Sequence, residues 1–207
     1  MVARARARTA RKFVRQLPEA RRLELIEATI ECLRRFGHEG LSIRRISGQA
    51  GVSIGLINHH FPNKNELIAQ AYVHFNSQLF RKLRLAVEQA PPGAAMRLAA
   101  FLRASFSPPN LDQDVLAVWV VFWGMHRHSP EIQRVHEHAY GGYLALVREL
   151  LEAAYQEGDR FPLGLRLSAI GLTALLDGLW LEWCLNPRTF APDEAIALCE
   201  SWIRRGR

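Results

Sequence analysis

Apolar residues return every three or four positions along most of the chain and no strand-like alternation is sustained, so the pattern predicts an all-α protein. Three proline-bearing breaks punctuate it. Pro91-Pro92-Gly93 and Ser107-Pro108-Pro109-Asn110 interrupt the periodicity, and Ser129-Pro130-Glu131 places a capping serine before a proline at the first helical position. About nine helices follow. The long fourth should end near residue 88, and the later ones should span 94–106, 111–128, 130–157, 163–185 and 192–204. In the eighth, Leu167, Ile170, Leu172, Leu175, Leu176, Leu179, Trp180, Leu181 and Trp183 run almost right around the helix. A helix that is apolar on every side needs burial on every side.

Residues 41–67 carry the sharpest local signal. Ser42 is placed to cap a helix whose Ile43, Ile46 and Ala50 share one face; Gly51 ends it in the left-handed conformation, and Val52 plugs the corner. Ser53 caps the next helix, about 54–60. That helix turns Ile57 and Phe61 inward and leaves Ser53, Gly55, Leu56, Asn58, His59 and His60 facing mostly outward. The unit reads as a helix-turn-helix whose outer face suits a DNA groove. Asn63 and Glu66 form a start signal for the fourth helix, and Lys64 lies in its first turn, where the helix dipole suits a phosphate better than a lysine. The candidate DNA contacts are Ser42, Arg44, Arg45, Ser53, Gly55, Leu56, Asn58, His59, His60 and Lys64. Of these, Arg44, Arg45 and Lys64 are expected to hold the backbone, and Asn58 and His59 to read base edges.

Charge sharpens that picture. Residues 1–70 hold 13 Lys+Arg against 6 Asp+Glu, net +7, while residues 71–207 hold 14 of each. A duplex attracts such a surface through phosphate neutralisation, so affinity should fall steeply with salt. The run Arg4, Arg6, Arg8, Arg11, Lys12 and Arg15 reads equally as a solvated flexible tail or as an arm that tracks the backbone or a minor groove. With 49% hydrophobic residues the chain can build one small domain and one larger one. No stretch reads as a membrane span and the basic N-terminus is not followed by an apolar secretory segment, so a cytoplasmic protein is expected. Cys32, Cys184 and Cys199 are odd in number and embedded in apolar patterns, which fits reduced thiols.

The aromatic residues point to a ligand. Trp119, Phe122 and Trp123 lie on the sixth helix, Tyr140 and Tyr143 on the seventh, and Trp180 and Trp183 on the eighth; these helices should line one cavity. Aromatic faces attract quaternary ammonium ions, and Asp177 or Glu182 would add a formal charge. The candidate ligand set is Trp119, Phe122, Trp123, Tyr140, Tyr143, Asp177 and Trp180, although each ring taken singly reads more readily as core packing, and the set is more suggestive than its members.

The segment AGVSIGLINHHFPNKNEL at residues 50–67, preceded by SIRRI at residues 42–46, resembles the DNA-binding domain of the TetR family of bacterial repressors. The likeness covers roughly residues 21–75. It implies a homodimer that binds a pseudo-palindromic DNA operator and is released by a small inducer. It also implies a division into a basic flexible arm at 1–18, a helix-turn-helix head at 19–75 and a helical ligand-binding and dimerisation body at 76–207. Two positions depart from the family pattern, which usually has tyrosine at Asn58 and often an aromatic at His60. In this family the last two helices form a four-helix bundle with their dimer mates. The segments at residues 118–151 and 175–185, the latter LLDGLWLEWCL, look like the body of the BetI-type branch. Its repressors control conversion of choline to glycine betaine, are released from DNA by choline, and also lack that tyrosine.

Other classes find less support. An enzyme needs a nucleophile, a metal or a phosphate loop, and the best candidates are His126, His128, His136 and His138. Residues two apart point about 200° from each other on a helix, so neither H-x-H pair chelates from one face; surface or capping histidines are expected, with no metal and no cofactor. A TetR-type regulator of other catabolic or efflux genes with a different inducer remains open, as do activation in place of repression and a helical protein-interaction module that docks another partner on the last two helices.

Overall fold

The computed structural model describes residues 17–161 and 163–205; most of the basic arm expected at 1–18 lies outside the described residues. The described chain is nine α-helices without a strand: α1 (Pro18–Phe36), α2 (Ile43–Ala50), α3 (Ile54–His60), α4 (Lys64–Glu88), α5 (Ala94–Ser105), α6 (Gln113–His126), α7 (Pro130–Gln156), α8 (Gly164–Leu185) and α9 (Pro192–Arg205). The main difference from the periodicity is α6, expected at 111–128. Asp112 starts it two residues later by accepting the N–H groups of Asp114 (2.9 Å) and Val115 (3.1 Å), while Leu111 is buried ahead of the helix.

Capping sets the geometry of the head. Ser42, Ser53 and Asn63 accept the N–H groups of Arg45, Leu56 and Glu66 at 3.2, 3.2 and 2.8 Å, so three successive helices start where the sequence places them. Gly51 sits at φ 65° and ψ 33°, the left-handed exit that a side chain would strain. The Ser47 hydroxyl donates to the Val52 carbonyl at 2.5 Å and ties the corner from inside. Ile46, Ile57, Phe61 and Leu67 then close over Leu25, Cys32 and Leu33 of α1.

Two apolar cores result, and they do not part at the foot of the head. One joins the C-terminal half of α4 to α5, α7, α8 and α9. The other fills the head but also takes in Val118, Phe122 and Met125 of α6 and Ile132 of α7. α4 contributes to both, so one continuous helix carries the head and walls the body.

The eighth helix departs from its expected burial. Leu172 and Leu176 are fully buried, yet Leu163, Leu167, Ile170, Leu181 and Leu185 are exposed by 64, 45, 37, 37 and 72%, and Leu198 on α9 by 53%. α8 and α9 cross closely at Gly171, where a Cβ would stand 2.6 Å from the Trp202 ring. Among the described residues α8 is also the one helix long and apolar enough to cross a membrane, which the sequence reading had not anticipated. Core helices of soluble proteins have that composition too, and here its inner stripe packs into the body core.

Candidate DNA-binding surface and ligand cavity

On the head, Arg44, Arg45, Ser42, Ser53, Gly55, Asn58 and His59 are exposed, as expected of a surface that meets a duplex. Leu56, His60 and Lys64 are half-buried. Arg45 is held before any partner arrives: its guanidinium lies 4.7 Å from the centre of the Phe36 ring and donates to the Gly40 carbonyl. Arg22 braces the end of α3 in the same manner, stacked 4.3 Å over Phe61 and donating to the His60 carbonyl at 2.5 Å. Burial, with His59, Arg22 and Arg21 nearby, holds His60 below its ordinary value. Lys64 Nζ reaches the Leu41 carbonyl at 3.4 Å, at the N-terminal approach to α2. Ile54, 42% exposed, joins this surface although its apolar character concealed it in the sequence.

A cavity of about 970 Å³ opens in the body between α4, α6, α7 and α8. Of the seven ligand candidates, Trp119, Trp123, Tyr140, Tyr143, Asp177 and Trp180 line it. Phe122 does not. It is fully buried and stacks on Tyr72 with ring centres 4.3 Å apart, because it stands about 100° around α6 from Trp123 and so faces α4. Trp183 and Glu182, weighed with these residues, also lie outside the lining.

The wall that sequence reasoning missed is α4. Gln70, Val73, Asn76, Ser77 and Phe80 line the cavity from the helix that begins inside the DNA-binding head. The signal was present as a stripe at three- and four-residue spacing that mixes polar with apolar residues, where a pure core stripe would be apolar. The histidines need correction as well. His128 and His138 are exposed as expected, but His126 and His136 are half-buried in the lining with ring centres 4.9 Å apart. They come from different helices, so spacing within one helix could not pair them. Among the described residues no three potential ligands gather around a metal position.

Electrostatics mark one group in the cavity. Asp177 has no hydrogen bond or ion pair among the described residues, and burial pushes its carboxyl up to about 6. Burial, and then the Asp177 charge, raises the Tyr140 and Tyr143 hydroxyls. The Tyr143 hydroxyl and Asn110 Oδ1, both on lining residues, are buried without a hydrogen-bond partner. Trp180 is fixed beside them, its ring N–H donating to the Ser105 carbonyl at 3.1 Å and its ring centre 6.1 Å from that of Tyr143. A carboxylate without an ion pair, sharing a cavity with aromatic rings, has the chemistry to receive a weakly hydrated cation. On the α4 side, the Tyr72 hydroxyl meets His136 Nδ1 at 2.8 Å. Burial lowers His136, as does neighbouring His126, and burial raises Tyr72 to about 12, so a neutral phenol meets a neutral imidazole and the ring's tautomer sets which of them donates.

A capped helix-turn-helix continuous with a hollow helical body defines a ligand-responsive transcription regulator, and known proteins agree. Residues 25–71 match the tetR family of bacterial regulatory proteins, and residues 92–206 match the C-terminal domain of BetI-type transcriptional repressors. The HTH-type transcriptional regulator BetI of Serratia proteamaculans is 30% identical over 188 residues, covering 88% of this chain and 90% of that protein. The regulator of the same name from Pseudomonas paraeruginosa is 33% identical over 190 residues, covering 88% and 91%. A solved transcriptional regulator of Pseudomonas aeruginosa PAO1 is 45% identical, covers 95% of this chain and 99% of that one, and superposes with a TM-score of 0.85. A regulator from Saccharomonospora viridis, solved in complex with choline, shares the fold at 22% identity and a TM-score of 0.79, covering 91% and 97%. The chain belongs to the TetR family of bacterial transcriptional regulators, with a body of the BetI type. It is a DNA-binding regulator and not an enzyme; members of the family bind operators as dimers and respond to small molecules.

Proposed function

We propose that this regulator represses its target genes until a quaternary ammonium ion, choline in the first instance, occupies the cavity. The observation that carries the reading is Asp177, a half-buried carboxylate without an ion pair among the described residues, which lines the cavity together with Tyr140, Tyr143 and Trp180. The choline held by the Saccharomonospora viridis relative, and the BetI-type body, support the same ligand and a place in the control of choline-to-glycine-betaine genes. The working division is an arm at 1–18, a head at 19–75 and a body at 76–207, with a cytoplasmic location.

Operator binding rests on two copies. The uncovered apolar residues of α8 and α9 pair with their mates, and the dimer sets two heads about one helical turn, ~35 Å, apart on a pseudo-palindrome. Arg44, Arg45 and Lys64, with the caps Ser42 and Ser53, hold the backbone. Asn58 and His59 reach base edges, and Gly55, Leu56 and His60 shape the contact. A cation at Asp177 draws α7 and α8 around itself, and α4, which forms the opposite wall, moves the head it carries. A differential affinity of a few kcal/mol between the two head separations suffices.

The direct test is anisotropy titration of a labelled duplex carrying the chain's own upstream intergenic region, at fixed salt, with and without millimolar choline and against a control duplex. Specific binding weakened by choline is the expected result. Specific binding indifferent to choline would retain the regulator and remove this inducer.

A further inference from the structure

Choline is small for this cavity. Pockets of roughly 300–1,000 Å³ hold drug-sized ligands, and at about 970 Å³ this one lies near the top of that range. Its shape is elongated as well. The α7 wall runs from Glu131 to Tyr143, about 18 Å along the helix axis, and the α4 wall from Glu66 to Leu83, about 25 Å. Between those walls the cavity reaches solvent: Val73 and Ser77 on α4 and Arg134 and His138 on α7 line it and are exposed. The receptor for the positive charge occupies only one part of this space, where Asp177, Tyr143 and Trp180 converge.

Gly142 points the same way. It lies inside α7 and in the lining, and no atom stands within 4 Å of where its Cβ would be. A glycine inside a helix costs about 1 kcal/mol relative to alanine. Gly171 has a close neighbour in Trp202, whereas Gly124, Gly141, Gly142 and Gly178 have none, and of these four Gly142 is the one in the cavity lining. What the missing side chain leaves is room beside Tyr143.

We propose that the cavity accommodates an elongated organic cation: a quaternary ammonium head seated at Asp177, Tyr143 and Trp180, bearing an apolar tail several times longer than the hydroxyethyl arm of choline. The tail lies between α4 and α7, along Val73, Trp119 and Trp123, and Gly142 sets how bulky the segment next to the head can be. This inference rests on the cation reading above and refines the ligand from a small ion to a long one.

Calorimetric titration of the full chain with alkyltrimethylammonium ions, from tetramethylammonium to decyltrimethylammonium and below their micelle concentrations, tests it, with choline and straight-chain alcohols alongside. Affinity should rise with tail length by up to roughly fourfold per buried methylene and then level off where the tail reaches solvent. Alcohols of equal length should bind far more weakly, and Gly142→Leu should weaken long-tailed ions while sparing tetramethylammonium. Choline or tetramethylammonium binding as tightly as the long ions would overturn the elongated ligand and leave the small-cation reading standing. No cation binding at all, or alcohols matching the cations, would overturn both.

Discussion

The head and the body of this regulator hold charge in opposite ways. Residues 1–75 carry the chain's whole net charge of +7, six of it in residues 1–18, and on the head Arg44 and Arg45 are exposed, Arg45 steadied by an aromatic face and a backbone carbonyl. The body balances its charges overall, yet holds one half-buried carboxylate without an ion pair among the described residues. A polyanion is met by exposed charges whose counterions leave on binding. In the proposed reading a small cation meets a charge whose partial desolvation has already been incurred on folding, so that the ligand relieves an existing penalty.

The comparison would lose its meaning if head and body were mechanically separate, and the largest predicted effect bears on that. Phe122 of α6 stacks on Tyr72 of α4 within the core that fills the head. Phe122→Ala should therefore destabilise the protein by about 3–5 kcal/mol and lower a single cooperative transition followed by circular dichroism. A head that kept its own melting temperature while the body lost stability would show two independent units.

Asp177→Asn tests the cavity charge itself. The folded protein holds the Asp177 proton up to about 6, well above the ordinary value of 3.8, so the folded state binds that proton more tightly than the unfolded chain does. The stabilisation is therefore fully present below the unfolded value and is lost as pH rises through about 6. At pH 7.5 the empty wild-type protein carries a penalty of roughly 2–3 kcal/mol, which the amide removes. The variant should melt higher than wild type at pH 7.5, the gain should vanish near pH 4, and the choline response should be lost while operator binding persists. A variant no more stable at pH 7.5 would mean that Asp177 is solvated after all. In wild type the cation affinity should weaken as pH falls below 6.

Arg45→Ala addresses the exposed charges and should have a smaller effect. Affinity for operator and control duplex alike should fall roughly tenfold, and the slope of log affinity against log salt should flatten by about one unit. An unchanged slope would remove Arg45 from the phosphate contacts.

The same contrast decides what the sequence discloses. The head was legible down to single residues, because Ser42, Gly51, Ser53 and Asn63 act on backbone atoms within three positions of themselves, and caps and turns are local. The helices of the body were legible from period and proline breaks, with α6 two residues shorter at each end: Asp112 decides its start, and it stops at His126 ahead of the Ser129-Pro130 break. The cavity was half legible. Rings on α6, α7 and α8 could be grouped by type, but which face of α6 turns outward depends on α4, so Phe122 was placed on the wrong side of the wall. Gln70, Val73 and Phe80 escaped because nothing local distinguishes a helix face that meets empty space from one that meets another helix. His126 and His136 are ten positions apart in sequence and meet only through the crossing of two helices.

The finest test concerns the junction where the two regions touch. Tyr72 belongs to the head core and to the helix that enters the body, and its hydroxyl hydrogen-bonds His136 Nδ1 on the cavity wall at 2.8 Å. His136 in turn stacks on Tyr140, with ring centres 5.5 Å apart, beside the Asp177 charge that helps to raise the Tyr140 hydroxyl. A cation seated there bears on His136 through Tyr140, and His136 holds α4 by one hydrogen bond. Tyr72→Phe removes that bond together with the hydroxyl's interaction with Asn76, and should cost about 1 kcal/mol of stability. Operator affinity without ligand should stay within about twofold of wild type, since the recognition surface is untouched. The factor by which a saturating cation weakens operator binding should fall, because occupancy of the cavity would no longer be reported to α4 through a directional bond. If anisotropy gives the same factor in Tyr72→Phe as in wild type, the coupling runs through the packed surface of α4 as a whole, and the stack of Phe122 on Tyr72 is the contact to test next.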